Sequence, residues 1–191
     1  MLRRLRPREV VAVGASFASA LLLDVNERDL DRRTHVTFVE PRRERVEALV
    51  HADDRPHVRT LRTSARDVAP EELDVLAAGD LLLVDVPSDA ERARDVSDVV
   101  LRLLPRLRPG VVVHLPHVVW PFELPAATRE QHTAPVLDVV HAFLQYNSAF
   151  EILLFTSQLV AACGDVATRL VPQLALDAGG SLWLRRTTSR R

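Results

Sequence analysis

Ala78-Gly-Asp-Leu-Leu-Leu-Val-Asp85 sets four apolar residues, Leu81 to Val84, between a turn and an acid. A run that short and unbroken reads as a strand buried on both faces, the mark of a parallel sheet covered by helices. The form recurs on either side. Val10-Val-Ala-Val13 stops at Gly14, His35-Val-Thr-Phe-Val39 stops at Glu40-Pro41, and Val111-Val-Val-His114 follows the turn pair Pro109-Gly110. His57-Val-Arg-Thr-Leu61 is weaker and half polar, and Phe150–Phe155 and Ser181–Leu184 complete the series.

Amphipathic stretches separate these runs. Arg42–His51 places Val46, Leu49 and Val50 on one side, and Ala90–Leu104 does the same with Val96, Val99, Val100, Leu103 and Leu104. Ser88 or Asp89 is the expected cap of the second, and Pro105 sits near its end. Pro70-Glu-Glu-Leu73 reads as a helix start, with proline in the first turn and acids toward the positive end of the dipole. Ala134–Asn147 and Asp165–Leu176 are further helices on the same reading. Strand and helix in alternation predict an α/β fold, mostly parallel, with right-handed crossovers that put helices on both faces. One domain is expected over residues 1–185, and the Arg-rich 186–191 reads as a disordered tail.

Composition excludes several classes. With 25 Lys+Arg against 26 Asp+Glu, a formal charge of -1 lacks the basic excess of a nucleic-acid binder. A single cysteine, Cys163, rules out a disulfide framework and a Cys-rich zinc module, and it reads as a small buried apolar residue. No apolar run approaches the ~18 residues of a membrane helix, and the broken start Met-Leu-Arg-Arg-Leu-Arg-Pro is not a secretory signal, so a cytoplasmic protein is expected.

Ligands of open α/β sheets bind beyond the carboxyl ends of the strands, where the strand order reverses. The residues there are Gly14-Ala15-Ser16, Glu40-Pro41, Ser64-Ala65-Arg66-Asp67, Asp85-Val86-Pro87-Ser88 and His114-Leu-Pro-His117. Gly14 supplies a sharp turn, and the amides of the helix start behind it can meet a polar ligand. Glu40, at the end of the second strand, can accept both hydroxyls of a ribose. Each feature alone is also ordinary structure, a turn glycine and a solvated acid; together, in order, they favour a nucleoside ligand. Gly14-Ala-Ser-Phe-Ala-Ser19 keeps only the first glycine of G-x-G-x-x-G, so a pyrophosphate at this turn is disfavoured, and neither a P-loop nor a nucleophile elbow occurs. His114 or His117 could take a proton from an acceptor, and Asp85 could help orient it; equally, His114 could be a core-edge residue and His117 an exposed loop residue. His-x-x-His with one distant Asp is a weak metal signal, and no metal is expected. Trp120, Phe122, Phe143, Tyr146 and Phe150 could wall an acceptor pocket or simply pack. The aperiodic stretch Leu115–Thr133 is long enough to be functional.

Val10-Val-Ala-Val-Gly-Ala-Ser16, Thr37-Phe-Val-Glu-Pro41, Ala78–Asp85, Leu103-Leu-Pro-Arg-Leu-Arg-Pro-Gly-Val-Val-Val-His114, Pro121 and Gly180-Ser-Leu-Trp-Leu-Arg185 together resemble a class I S-adenosylmethionine-dependent methyltransferase of the bacterial small-molecule group. The resemblance covers nearly the whole chain. It implies a Rossmann-like seven-stranded sheet with the last strand antiparallel, S-adenosylmethionine as cofactor, and a small-molecule acceptor. Gly14, Ala15 and Ser16 would face the methionine part, Glu40 with Pro41 the ribose, and Ser64, Ala65 and Asp67 the adenine. Asp85 would lie where the methyl group is handed on. The chain departs from the pattern at Ala12, where the family usually has an acid, at Ser16, where it has a second glycine, and at Pro116 and His117 after the fifth strand. The helical segment that usually precedes the first strand is not read in this sequence. These departures leave open a methyltransferase-like binding or regulatory protein, with a homodimer as one form, and, more weakly, a nucleotide-dependent oxidoreductase.

Overall fold

A computed structural model of the chain describes residues 1–86, 93–123 and 134–188. The capping pair Ser88 and Asp89, the helix start at Ala90, residues 124–133 of the aperiodic stretch and the last three tail residues lie outside the described residues.

Seven strands form one sheet: β1 Glu9–Val13, β2 His35–Val39, β3 Val58–Leu61, β4 Leu81–Val84, β5 Val112–Pro116, β6 Phe150–Phe155 and β7 Ser181–Arg186. Their order is β3-β2-β1-β4-β5-β7-β6. All pairs from β3 to β5 are parallel, and β7 runs antiparallel to both β5 and β6. Every strand predicted from an apolar run is therefore present. The central strands are apolar at every position because each residue faces one of two cores. Val11, Val13, Leu82 and Val84 point into one, and Val10, Ala12, Leu81 and Leu83 into the other.

Among the described residues the α-helices are α1 Leu2–Leu5, α2 Phe17–Asp29, α3 Arg43–Glu47, α4 Ala93–Asp98, α5 Ala134–Leu144 and α6 Thr156–Leu170. Leu22 and Leu23 of α2 cover one face of the sheet; Leu137 and Val140 of α5 cover the other. Beyond α4 the chain widens into a π turn at Val99–Leu103 and tightens into a 3₁₀ turn at Leu104–Arg106. Pro105 has no N–H to offer the carbonyl of Leu101, so a regular helix cannot run through it. The last predicted helix is displaced. It starts directly from β6 at Thr156, kinks at Cys163 (φ -140°, ψ 41°) and ends before the 3₁₀ turn Pro172–Ala175. Cys163 is exposed, not buried, because only Ala167 of α6 reaches the core. Among the described residues no helix is long and apolar enough to cross a membrane.

Asp80 of the opening motif is structural. Its Oδ1 accepts the Arg8 and Glu9 amides at 2.9 and 3.0 Å, and its Oδ2 accepts the Ala77 amide at 2.9 Å. That staple fixes the start of β1 against the turn before β4, and so sets the register that delivers Val13 and Val84 together to the opposite end.

Candidate functional site

β1 to β5 run parallel, so their carboxyl ends share one rim. The chain steps outward from β1 to β3 and then returns to β4, which makes the β1/β4 gap the switch in strand order. Gly14 and Asp85 flank that gap. Gly14 adopts φ +93°, and a Cβ there would lie 2.3 Å from the Asp85 carbonyl oxygen, so no other residue fits between the strands. The absent side chain makes room for the protein's own backbone.

The Asp85 side chain turns back onto the first turn of α2. It accepts hydrogen bonds from the Ser16 amide (2.8 Å) and hydroxyl (2.5 Å) and from the Ser19 amide (2.9 Å) and hydroxyl (2.6 Å). The carboxylate thus fills the anion position that a helix start offers, and the residue is 3% exposed. This corrects the expectation that Asp85 stands open to the acceptor: it anchors α2. Ser19 is not singled out by the sequence motifs. Serines at the start of a helix and three residues on, with an acid at the neighbouring strand end, are a readable signal for it.

Glu40 is wholly buried at the end of β2. Its Oε1 accepts the Arg42 amide at 3.0 Å, and its Oε2 lies 3.9 Å from Nη1 of Arg45 on α3. The carboxylate is thereby held at the rim beside the Gly14 turn, whose amide donates to the Val39 carbonyl at 2.9 Å. Ala15 is buried in the same turn, and Pro41 is exposed. Beyond β3, Ser64 and Asp67 close on one another: the Ser64 hydroxyl donates to Asp67 Oδ2 at 2.7 Å, with Ala65 buried between.

The two histidines part company. His114 projects from β5 to the Trp183 side of the sheet, its ring stacked on the indole at 4.2 Å. Its Nε2 lies 2.7 Å from Ser181 Oγ, which also accepts the Trp183 indole N–H at 3.0 Å. Burial pushes the imidazole down to about 4; the charge of His117 acts in the same direction and that of Asp85 against it. His114 is therefore neutral at pH 7 and too weak a base to hold an acceptor's proton, which corrects its expected role. His117 is exposed just past the end of β5, in a left-handed conformation at φ +60°. A Cβ on Gly180 would lie 2.9 Å from its Cα, so β7 reaches this corner only through glycine. Phe122 also takes φ +73°, and two non-glycine residues in that region within six positions mark a strained loop.

Of the candidate wall aromatics, Phe122 and Phe150 are buried in the core and Tyr146 is fully exposed. Trp120 lines a cavity of about 500 Å³, shared with Val119, Pro121, Glu123, Ser157 and Asp177–Gly180. No group of three or more His, Cys, Asp and Glu that could hold a metal occurs among the described residues.

Residues 11–116 match the family described as a methyltransferase domain. The chain belongs to that family. Among solved structures, this methyltransferase domain is similar to the O-methyltransferase TomG of Streptomyces achromogenes, involved in tomaymycin synthesis and determined with S-adenosylmethionine, at 21% identity and TM-score 0.59, over 98% of this chain and 76% of that one. It is similar to a Corynebacterium glutamicum protein at 14% identity and TM-score 0.56, over 100% and 80%. The S-adenosylhomocysteine-bound methyltransferase PaMTH1 of Podospora anserina aligns at 15% identity and TM-score 0.53, over 98% and 75%. These likenesses show a shared fold. No curated protein matches the sequence.

Proposed function

We propose that this chain binds S-adenosylmethionine at the β1/β4 rim and transfers its methyl group to a small-molecule acceptor. One observation carries the proposal: two buried carboxylates, Glu40 and Asp85, stand on either side of the Gly14 turn at the switch in strand order. A carboxylate at the end of β2 suits a ribose diol, and a tight turn held by Asp85 beside it suits close approach of the rest of the cofactor. The donor set thus fits the cofactor named by the family resemblance.

When bound, S-adenosylmethionine supplies an electrophilic methyl group on sulfur. Glu40 accepts from the ribose hydroxyls, its direction fixed by Arg42 and Arg45. Asp85 keeps the Gly14–Ser19 turn rigid through its four hydrogen bonds. Ser64 and Asp67, paired beyond the end of β3, would meet the adenine. The remaining contribution is alignment of the acceptor for an in-line displacement, which needs position more than side-chain chemistry. Where the acceptor must lose a proton, His117 takes it, being exposed at the rim while His114 is sequestered.

Titration calorimetry with S-adenosylmethionine, S-adenosylhomocysteine and NAD tests this. Both sulfur nucleosides should bind and NAD should not. Glu40→Ala should weaken binding about tenfold or more, the scale of losing hydrogen bonds to a charged group; unchanged affinity rejects the ribose assignment. A second reading, a methyltransferase fold that binds without transferring, draws on the Asp85 carboxylate filling the α2 start. Binding of S-adenosylhomocysteine with no turnover across a panel of acceptors would favour it.

A further inference from the structure

The rim has two halves. Gly14, Glu40 and Asp85 occupy the β2-β1-β4 half. The other half is built where β5 ends, β6 ends and antiparallel β7 begins, since Pro116 pairs with Ser181 and Phe155 with Leu182. Three chain segments meet there: Val119–Glu123 after β5, Ser157 after β6, and Asp177–Gly180 before β7. Between them lies the cavity of about 500 Å³.

Its walls have a definite chemistry. Trp120 is 43% exposed, and its side of the cavity offers an apolar ring. The ring is fixed by edge contacts to Phe122 and Phe155, and its backbone amide donates to Ser157 Oγ at 2.8 Å. Two carboxylates line the same space, Glu123 and Asp177, and among the described residues no Arg or His does. Asp177 is held in place because its Oδ1 accepts the Gly179 amide at 2.8 Å. At the base, Gly180 lies against the backbone of His117. An apolar indole ring and two anions around one cavity select an organic cation with an apolar body.

We propose that this cavity is the acceptor subsite and that it takes an amine-bearing acceptor, its ammonium toward Glu123 and Asp177 and its apolar part on Trp120. The proposal rests on the methyl-transfer reading for the word acceptor; the cavity's preference for a cation stands on the wall residues alone.

The chain has two tryptophans, Trp120 and Trp183, so a ¹H–¹⁵N spectrum of the protein shows two indole N–H peaks, assigned with Trp120→Phe. Trp183 is buried with its N–H on Ser181, and it serves as an internal control. Titration with 2-phenylethylamine should move the Trp120 peak and leave the Trp183 peak in place. The neutral analogue 2-phenylethanol should bind about fivefold more weakly, the scale of two solvent-exposed ion pairs, and 3-phenylpropionate should bind weakest. In Glu123→Gln/Asp177→Asn the amine and the alcohol should bind alike. Equal affinity for amine and alcohol in the parent protein, a preference that survives in the double variant, or a stationary Trp120 peak would each overturn the assignment. Calorimetry with S-adenosylhomocysteine on the same double variant should give parent affinity. Absence of that binding in the parent protein itself would refute the methyl-transfer reading, while the Trp120 shifts would still decide whether the cavity takes a cation.

Discussion

Removing the Asp85 carboxylate is the most direct trial of the site geometry. Four donors converge on it, but they are not equal: the Ser16 pair is partly exposed, and water can replace the lost acceptor there. The Ser19 pair is buried. In Asp85→Ala the Ser19 hydroxyl can turn to a carbonyl of its own helix, whereas the Ser19 amide has no such choice. One stranded buried donor costs about 1–3 kcal/mol, and loss of a charged cap at a helix start adds about 1 kcal/mol. The expected total is about 3 kcal/mol. For a chain of this size each kcal/mol moves the melting temperature by about 2–4 °C, so Asp85→Ala should melt about 6–12 °C below the parent, and Asp85→Asn, which keeps one acceptor, about half as far below. The assay is thermal denaturation followed by circular dichroism at pH 7, with Ser19→Ala added to complete a double-mutant cycle. The two changes should be less than additive by about 1 kcal/mol, because they remove the same contact. Melting temperatures within about 2 °C of the parent, or full additivity, would show that the carboxylate does not anchor α2.

Gly14→Ala meets both an unfavourable φ and a Cβ 2.3 Å from the Asp85 carbonyl; urea denaturation should show a loss of about 3 kcal/mol or more, and a loss under about 0.5 kcal/mol would mean the strands are not that close. His114 is held neutral, its value about 4 in the fold against about 6.5 in the unfolded chain. Its contribution is complete above pH 6.5 and fades as the pH falls toward 4, because only the unfolded chain takes up the proton across that window. Stability from urea denaturation should thus fall by about 2 kcal/mol between pH 7 and pH 5, and His114→Gln should flatten that slope; an equal slope in the variant would mean that another group is responsible. His117→Ala should leave S-adenosylhomocysteine affinity at the parent value, since His117 lies outside the cofactor half of the rim, and a tenfold weaker titration would place it inside.

Much of this was legible in the chain itself. Leu81–Val84, Val10–Val13 and His35–Val39 are apolar at nearly every position because both their faces are covered, and that requirement writes a parallel sheet into the sequence. Glu40 and Asp85 at strand ends, and Gly14 at a turn, follow from the same reading. α2 was harder to bound: Phe17 and Leu21 are 93% and 60% exposed while Leu22 and Leu23 are buried, so its apolar residues do not keep to one side. What only the folded chain decides is direction and company. Asp85 could have faced a ligand or a helix, and Ser16 and Ser19, some seventy residues away in the chain, made it the second. His114 could have been a base, and the burial between Ser181 and Trp183 took its basicity away. The cavity beside Trp120 joins segments around residues 120, 157 and 178, which share no local pattern. Periodicity is set by neighbours a few positions apart and can be read from order alone; contacts between distant positions depend on strand pairing, and they exist only once the sheet has closed.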